Sequence, residues 1–507
     1  MLGKFILNFK LNNTHAFICT VLLIFLIPIN RIIVSIKYIC LKLWNMKVII
    51  NELGAIKSGT IDLSKKINIF CGPNGTGKTY VAYAIYGLLK SKIHVGFNRE
   101  LVNELIENKK AEFKINYDAL KNYRVELVKN FKDNLDGLFG IGTEFAKQHF
   151  SDSSVNFNDT DEDFQQFLHS SEINSKILIG KFEIGIIKNI NLNSLKLELL
   201  DSTISSDDIE ALNVYLNSTI IDFLATYPIT STYILPVERN SIFTFSKELS
   251  IRKQEAVDHF HAMTSKGKVD KFELLFNKTT RYPLPIKDGL LVADDLAEIK
   301  KNKSAYYDFA SRIETDLLNG TVEISNDGEI QFKPKQSPKK VLPIHMTASI
   351  IKSLSSLVVY LKHIAQPNDL IIIDEPEINL HPDNQIILTR LFARLINNGF
   401  RLLISTHSDY VVRELNNLIM LSEKNTEIEK LRTKFHYDNS ETLTKQDIDV
   451  HYFNYPKKMR GNKQVIIQKI EITDSGFEIP SVDAVINKQN EIAEELYYAL
   501  KFGNEDE

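Results

Sequence analysis

Gly72-Pro73-Asn74-Gly75-Thr76-Gly77-Lys78-Thr79 is the stretch that most limits what this chain can become. It meets the pattern G-x-x-x-x-G-K-[ST] at every fixed position. The apolar run before it, Lys66–Cys71, predicts a buried strand; the run after it, Val81–Leu89, predicts a helix. A glycine-rich turn in that context folds its N–H groups into a concave nest, and the helix N-terminus adds partial positive charge. Such a nest fits the phosphates of a nucleotide. The expected contacts are Gly72, Pro73, Asn74, Gly75, Thr76, Gly77, Lys78, Thr79 and Tyr80. Lys78 would reach the β- and γ-phosphates of ATP, and Thr79 would ligate Mg²⁺. A chance glycine turn is the bland alternative; the lysine, the hydroxyl and both flanks weigh against it.

The chain has 507 residues, room for about three ordinary domains. Its formal net charge of −3 gives no global nucleic-acid footprint. The three cysteines, Cys19, Cys40 and Cys71, build neither a disulfide framework nor a metal pattern, which suits a reducing cytoplasm. The first 45 residues differ from the rest: they carry five Lys/Arg and no acid, and Ala16–Ile29 is almost wholly apolar. That run is short against the roughly 20 residues a membrane span needs, and no small-residue cleavage site follows it. Residues 1–45 therefore have three readings: a membrane anchor through 14–40, an apolar helix packed on the protein, or an upstream extension of a chain whose start is Met46.

From Met46 onward the pattern predicts an α/β protein. Lys47–Asn51, Thr60–Leu63 and Lys66–Cys71 read as strands of a hairpin leading into the phosphate loop. Residues 46–94 form the first part of the nucleotide domain. Residues 95–230 read as an inserted, largely helical mixed lobe. In it, Ser151–Asp163 is an acidic loop, Lys176–Ile187 and Leu195–Leu200 are strands, and Ser206–Tyr227 is a helix. The domain resumes over 231–422. There Thr232–Pro236, Leu370–Ile373 and Arg401–Thr406 are strands, and helices open at Thr347 and Pro382. Residues 423–507 read as a small α/β cap closed by a helix, Ser481–Leu500. Two basic stretches, Lys333–Lys340 and Lys457–Lys463, are weighed as nucleic-acid contacts against solvated loops, and the second is the blander reading of both.

Three separated elements offer the parts of one site. Asp374 ends a hydrophobic strand, the usual place of the carboxylate that holds Mg²⁺. Glu375 follows and can orient and deprotonate an attacking water. His407 ends the next strand, in reach of a γ-phosphate. Each alone is as easily a satisfied loop residue. Their order changes that, because parallel strands deliver their carboxyl ends to one crevice. Lys78, Glu375 and His407 are the expected catalytic residues, and Thr79 and Asp374 the expected Mg²⁺ ligands.

The runs LIIIDEPEINLHP (370–382) and LLISTHSDY (402–410), joined to GPNGTGKT, resemble the ABC-type ATPases of the SMC/RecF/overcoming-lysogenization-defect group. Some of these are ATPase subunits of bacterial anti-phage systems. The resemblance covers about 46–90, 230–245 and 320–422. It implies a phosphate-loop NTPase fold, a head like that of SMC proteins, ATP and Mg²⁺ as cofactors, and a homodimer or higher homo-oligomer. It makes His407 the switch histidine and Asn379–Pro382 a segment at a dimer interface. Glu238 and Arg239 fall where transporter-type relatives carry a Q-loop. The family signature wants Ser-Gly at a helix start; here Ser349 is followed by Ile350, which puts contact with the other subunit's nucleotide in question.

Four functions follow as expectations. The first is an ATP-driven switch controlling a separate effector, a nuclease or toxin, in anti-phage defence. The second is a DNA-repair or DNA-binding ATPase of the RecF type. A transporter motor and a non-hydrolysing scaffold are the remaining two. No Toprim, H-N-H or zinc pattern supplies an effector within the chain itself.

Overall fold

The computed structural model describes residues 46–158, 160–179, 182–200, 206–245, 282–456 and 464–502. The N-terminal extension 1–45 and the basic stretch 457–463 lie outside the described residues. The strands in chain order are β1 (Lys47–Leu53), β2 (Ile56–Asp62), β3 (Ile67–Cys71), β4 (Lys110–Lys114), β5 (Ser154–Phe157), β6 (Ile173–Ile179), β7 (Phe182–Lys188), β8 (Ser194–Leu199), β9 (Thr232–Leu235), β10 (Gly320–Ile324), β11 (Ile330–Pro334), β12 (Leu342–Pro343), β13 (Leu370–Asp374), β14 (Arg401–Ser405), β15 (Ile448–Asn454) and β16 (Val465–Ile470).

Nine of them make one mixed sheet, in the order β5-β1-β2-β16-β15-β3-β14-β13-β9. β3 runs parallel to β15 and β14, and β13 runs parallel to β14 and β9. Alternate side chains of these strands enter two apolar cores. Phe70, Leu403 and Ile372 face one; Ile69, Ile404, Ile371 and Ile373 face the other. A strand covered on both faces reads as an unbroken apolar run, and INIFC and LIIID are such runs. The register sets Asp374 beside Ser405 and Ile69 beside Ile404. The carboxyl ends of β3, β13 and β14 therefore finish along one edge, where open α/β sheets form their ligand crevices.

Helix Lys78–Lys90 starts at that edge, and most of its residues are buried. The inserted lobe carries a second sheet, β4-β8-β7-β6, with helices Tyr117–Asp133 and Ser206–Thr226. Leu127, Ile186 and Leu216 of the lobe belong to the same core as Ile85 and Phe70.

The arrangement differs from the sequence expectation in four places. β3 does not pair with β2; β16 and β15 lie between them. The segment 423–507 is consequently no separate cap, since its strands complete the main sheet and cover both β2 and β3. Local hydropathy shows that β15 is buried but not what buries it. The expected acidic loop 151–163 contains β5, because Val155 and Phe157 alternate just long enough to pair with the free edge of β1. The run Lys176–Ile187 is likewise the inner part of the β6–β7 hairpin.

Candidate active site

β3 runs straight into the phosphate loop. Gly72 takes φ +135°, and a Cβ there would stand 2.4 Å from the Phe453 carbonyl oxygen of β15. Gly77 takes φ +87° and starts the helix without a side-chain cap, which leaves its first N–H groups free for an anion. Pro73, Asn74 and Gly75 are exposed at the loop apex, while Thr76 is buried and donates to the Pro73 carbonyl at 2.8 Å.

Lys78 folds back into the loop. Its Nζ donates to the Gly72 and Pro73 carbonyls, each at 3.0 Å. Burial lowers its pKa to about 8, against the opposing pull of Glu375 and Asp374. Thr79 and Asp374, 295 residues apart, meet directly: the Thr79 hydroxyl donates to Asp374 Oδ2 at 2.8 Å. Asp374 is buried, and its Oδ1 accepts from the Ser405 hydroxyl.

Glu375 has φ +44°, in the left-handed region, where a residue with a side chain carries strain of about 1–3 kcal/mol. Two contacts hold it there. Its N–H donates to Ser405 Oγ at 3.0 Å, and its carbonyl accepts from Arg239 Nη2 at 3.0 Å. Its half-buried carboxylate stands 3.7 Å from His407 Nε2. Burial and the adjacent Asp374 raise the Glu375 pKa, and burial together with Lys78 lowers that of His407. Both shifts favour the less charged form of the pair.

Arg239 is 1% exposed and donates to the carbonyls of Pro236, Asp374, Glu375 and Pro376. It acts as a buried latch under the Asp-Glu turn, and Glu238 beside it is exposed. Tyr80 is 45% exposed and stacks on Phe139 of the inserted lobe at 4.9 Å between ring centres. Ser349 is exposed at the first turn of helix Ser349–His363. Ile350, where a glycine is usual in the family resembled, packs against the second core.

Four contributors were given no role by the sequence reading. Ser405 links Asp374 to Glu375. Glu377 Oε1 accepts from the His407 N–H at 2.7 Å and from the Thr406 hydroxyl at 2.8 Å. Tyr455, just past β15, donates its hydroxyl to the Gly75 carbonyl at 3.0 Å, and β15 itself sets the limit on Gly72. The only available signal was the repeated carboxylate in Asp374-Glu375-Pro376-Glu377.

A sheet edge built this way is that of a phosphate-loop nucleoside triphosphatase. The chain belongs to the AAA ATPase domain family, whose match runs over residues 46–412. A stretch of 69 residues is 38% identical to the DNA replication and repair protein RecF of Psychromonas ingrahamii, covering 13% of this chain and 18% of that protein. The chain thus spans less than a fifth of that relative's length. Among solved structures, it is similar to an SMC head bound to the C-winged helix domain of ScpA (13% identity, 84% of this chain, 98% of that chain, TM-score 0.31). It is also similar to the SMC head domain from Thermotoga maritima (10% identity, 84% of this chain, 99% of that chain, TM-score 0.29).

Proposed function

We propose that this protein is a Mg²⁺-dependent ATP-hydrolysing switch whose cycle drives a partner molecule. The observation that carries the reading is the convergence of Thr79, Asp374, Glu375 and His407 from three separated elements. The Thr79 hydroxyl and Asp374 carboxylate already touch at 2.8 Å, a donor pair of the hard oxygen type that Mg²⁺ takes. The ion, when bound, neutralises charge on the β- and γ-phosphates. Lys78 exchanges its loop carbonyls for phosphate oxygens. Glu375 accepts a proton from the attacking water, and its raised pKa suits a base working nearer neutrality. His407, held neutral by burial, stands beside Glu375 and donates a hydrogen bond to the γ-phosphate or the water.

Phosphate release tests this. Glu375→Gln should keep ATP binding and lose at least about 100-fold in turnover, as removal of a general base does. Full turnover in that variant would overturn the assignment, and chelation of divalent cations should abolish hydrolysis in the parent.

The partner is proposed at two levels. A separate effector, a nuclease or toxin in anti-phage defence, is supported by the resemblance of 370–382 and 402–410 described above. A DNA-repair role is supported by the match to RecF. Capture of the ATP-loaded Glu375→Gln protein from its own cells separates them. A second gene product in fixed ratio favours the effector, and bound DNA with DNA-stimulated turnover in the parent favours repair. A bare monomer would remove Ser349 from any shared site. A cytoplasmic location completes the proposal. No helix of the described residues is long and apolar enough to cross a membrane.

A further inference from the structure

Helix Pro480–Phe502 leaves the body of the protein beside the switch histidine. Val482, Val485 and Ile486 form one wall of an open cleft of about 670 Å³; Pro73, His407 and Tyr410 line the other. Beyond that point nothing among the described residues covers the helix. None of its 23 residues is buried, and Leu496 and Leu500 near its end are 59% and 85% exposed. A helix of that length gains little from propensity alone and is normally stabilised by packing its apolar face.

The spacing of the apolar face says what covers it. Val482, Ile486, Gln489, Ala493, Leu496 and Leu500 alternate four and three apart, the seam of a helix pair. Turned end for end about Glu491, the seam matches itself: Val482 meets Leu500, Ile486 meets Leu496, and Gln489 meets Ala493. Glu491 falls level with its own copy, and Ile492, on the flank of the seam, lies only two residues, about 3 Å along the axis, from its own copy. A two-fold contact requires this self-complementarity. Val482 and Ile486 are also cleft residues, so an antiparallel neighbour delivers its free Leu496 and Leu500 into the cleft. A parallel neighbour would leave those ends against each other and both clefts open.

We propose that two copies of this chain pair through helix Pro480–Phe502 in antiparallel register, each helix end filling the cleft beside the other copy's His407. The inference stands on the helix and the cleft and does not depend on the hydrolysis chemistry.

Single cysteines in the full chain test it, with Cys19 and Cys40 replaced by serine and Cys71 left in place because it is buried. A short bis-maleimide reagent should link Ile492→Cys to its own copy. Leu500→Cys alone should not link, since its copy lies about 27 Å away at 1.5 Å per residue. Val482→Cys combined with Leu500→Cys should link. Self-linking of Leu500→Cys would establish a parallel pair and overturn the register. A monomeric mass by light scattering, with no link at Ile492→Cys, would overturn the pairing itself and assign the face to a different protein. Leu496→Glu with Leu500→Glu should weaken dimerisation at least tenfold while leaving the thermal midpoint of the monomer unchanged, because both side chains are exposed.

Discussion

One carboxylate oxygen of Glu377 receives both hydrogen bonds from the end of β14, and the other is buried without a partner among the described residues. Glu377 therefore fixes the main chain of His407 rather than touching a nucleotide. Glu377→Ala should lower kcat roughly 10- to 100-fold with little change in KM, the usual loss on removing an outer-shell support. Glu377→Gln keeps an acceptor oxygen and should restore most of the rate. In a His407→Ala background the alanine change should cost almost nothing more, because the two act as one unit. Steady-state kinetics of the four proteins checks this. Lys78 carries the pH prediction. In the free protein it holds its proton only to about pH 8, against 10.5 unfolded. Phosphates would raise that value again, so ATP binding takes up a proton above pH 8. Affinity should then fall by up to about tenfold per pH unit through that window, and this group should add no slope below it. In the free protein the unfolded chain binds the extra proton between about 8 and 10.5, so stability from this lysine rises with pH there. Titration calorimetry in buffers of different ionisation heat reads the proton uptake. Lys78, Thr79, Asp374, Glu375 and His407 were legible in the sequence as one constellation because each sits in a short local pattern at a strand end. Ser405 and Glu377 were not, because a serine and a second glutamate acquire meaning only when two strand ends come side by side.

Arg239 shows how one element is tied to another. Its guanidinium gathers four carbonyls under the Asp374–Pro376 turn, and burial lowers its pKa to about 10. Arg239→Leu would strand those carbonyls and release the strained Glu375 backbone. It should cost about 3–5 kcal/mol, the range for breaking a buried charged network, with urea unfolding as the measurement. The strands of 423–507 make a second element-scale prediction. Because β16 and β15 separate β2 from β3, truncation at residue 422 should yield insoluble or non-cooperatively unfolding protein rather than an intact nucleotide domain. A soluble, ATP-binding 46–422 fragment would contradict that. Local pattern was enough to read 423–507 as an α/β segment. It could not show that the strands there join the main sheet, because strand order depends on pairings hundreds of residues apart.

At the scale of the whole molecule, the phosphate loop is framed by distant parts of the chain. Cys71, at the end of β3, donates its thiol to the His451 carbonyl 380 residues later, and Tyr455 reaches back to Gly75 over the same span. The nucleotide edge was readable from the order of motifs; the closure of the sheet was not. Both neighbours of β3, β14 and β15, are made long after it. During synthesis the loop emerges early and must wait for most of the chain before its own strand can be covered on either side. Contacts of such separation are slow to form, so β3 amides should be among the last protected in pulse-labelled refolding. A chain broken off before β15 keeps every residue of the GPNGTGKT motif and still lacks the Phe453 backbone against which Gly72 is fitted.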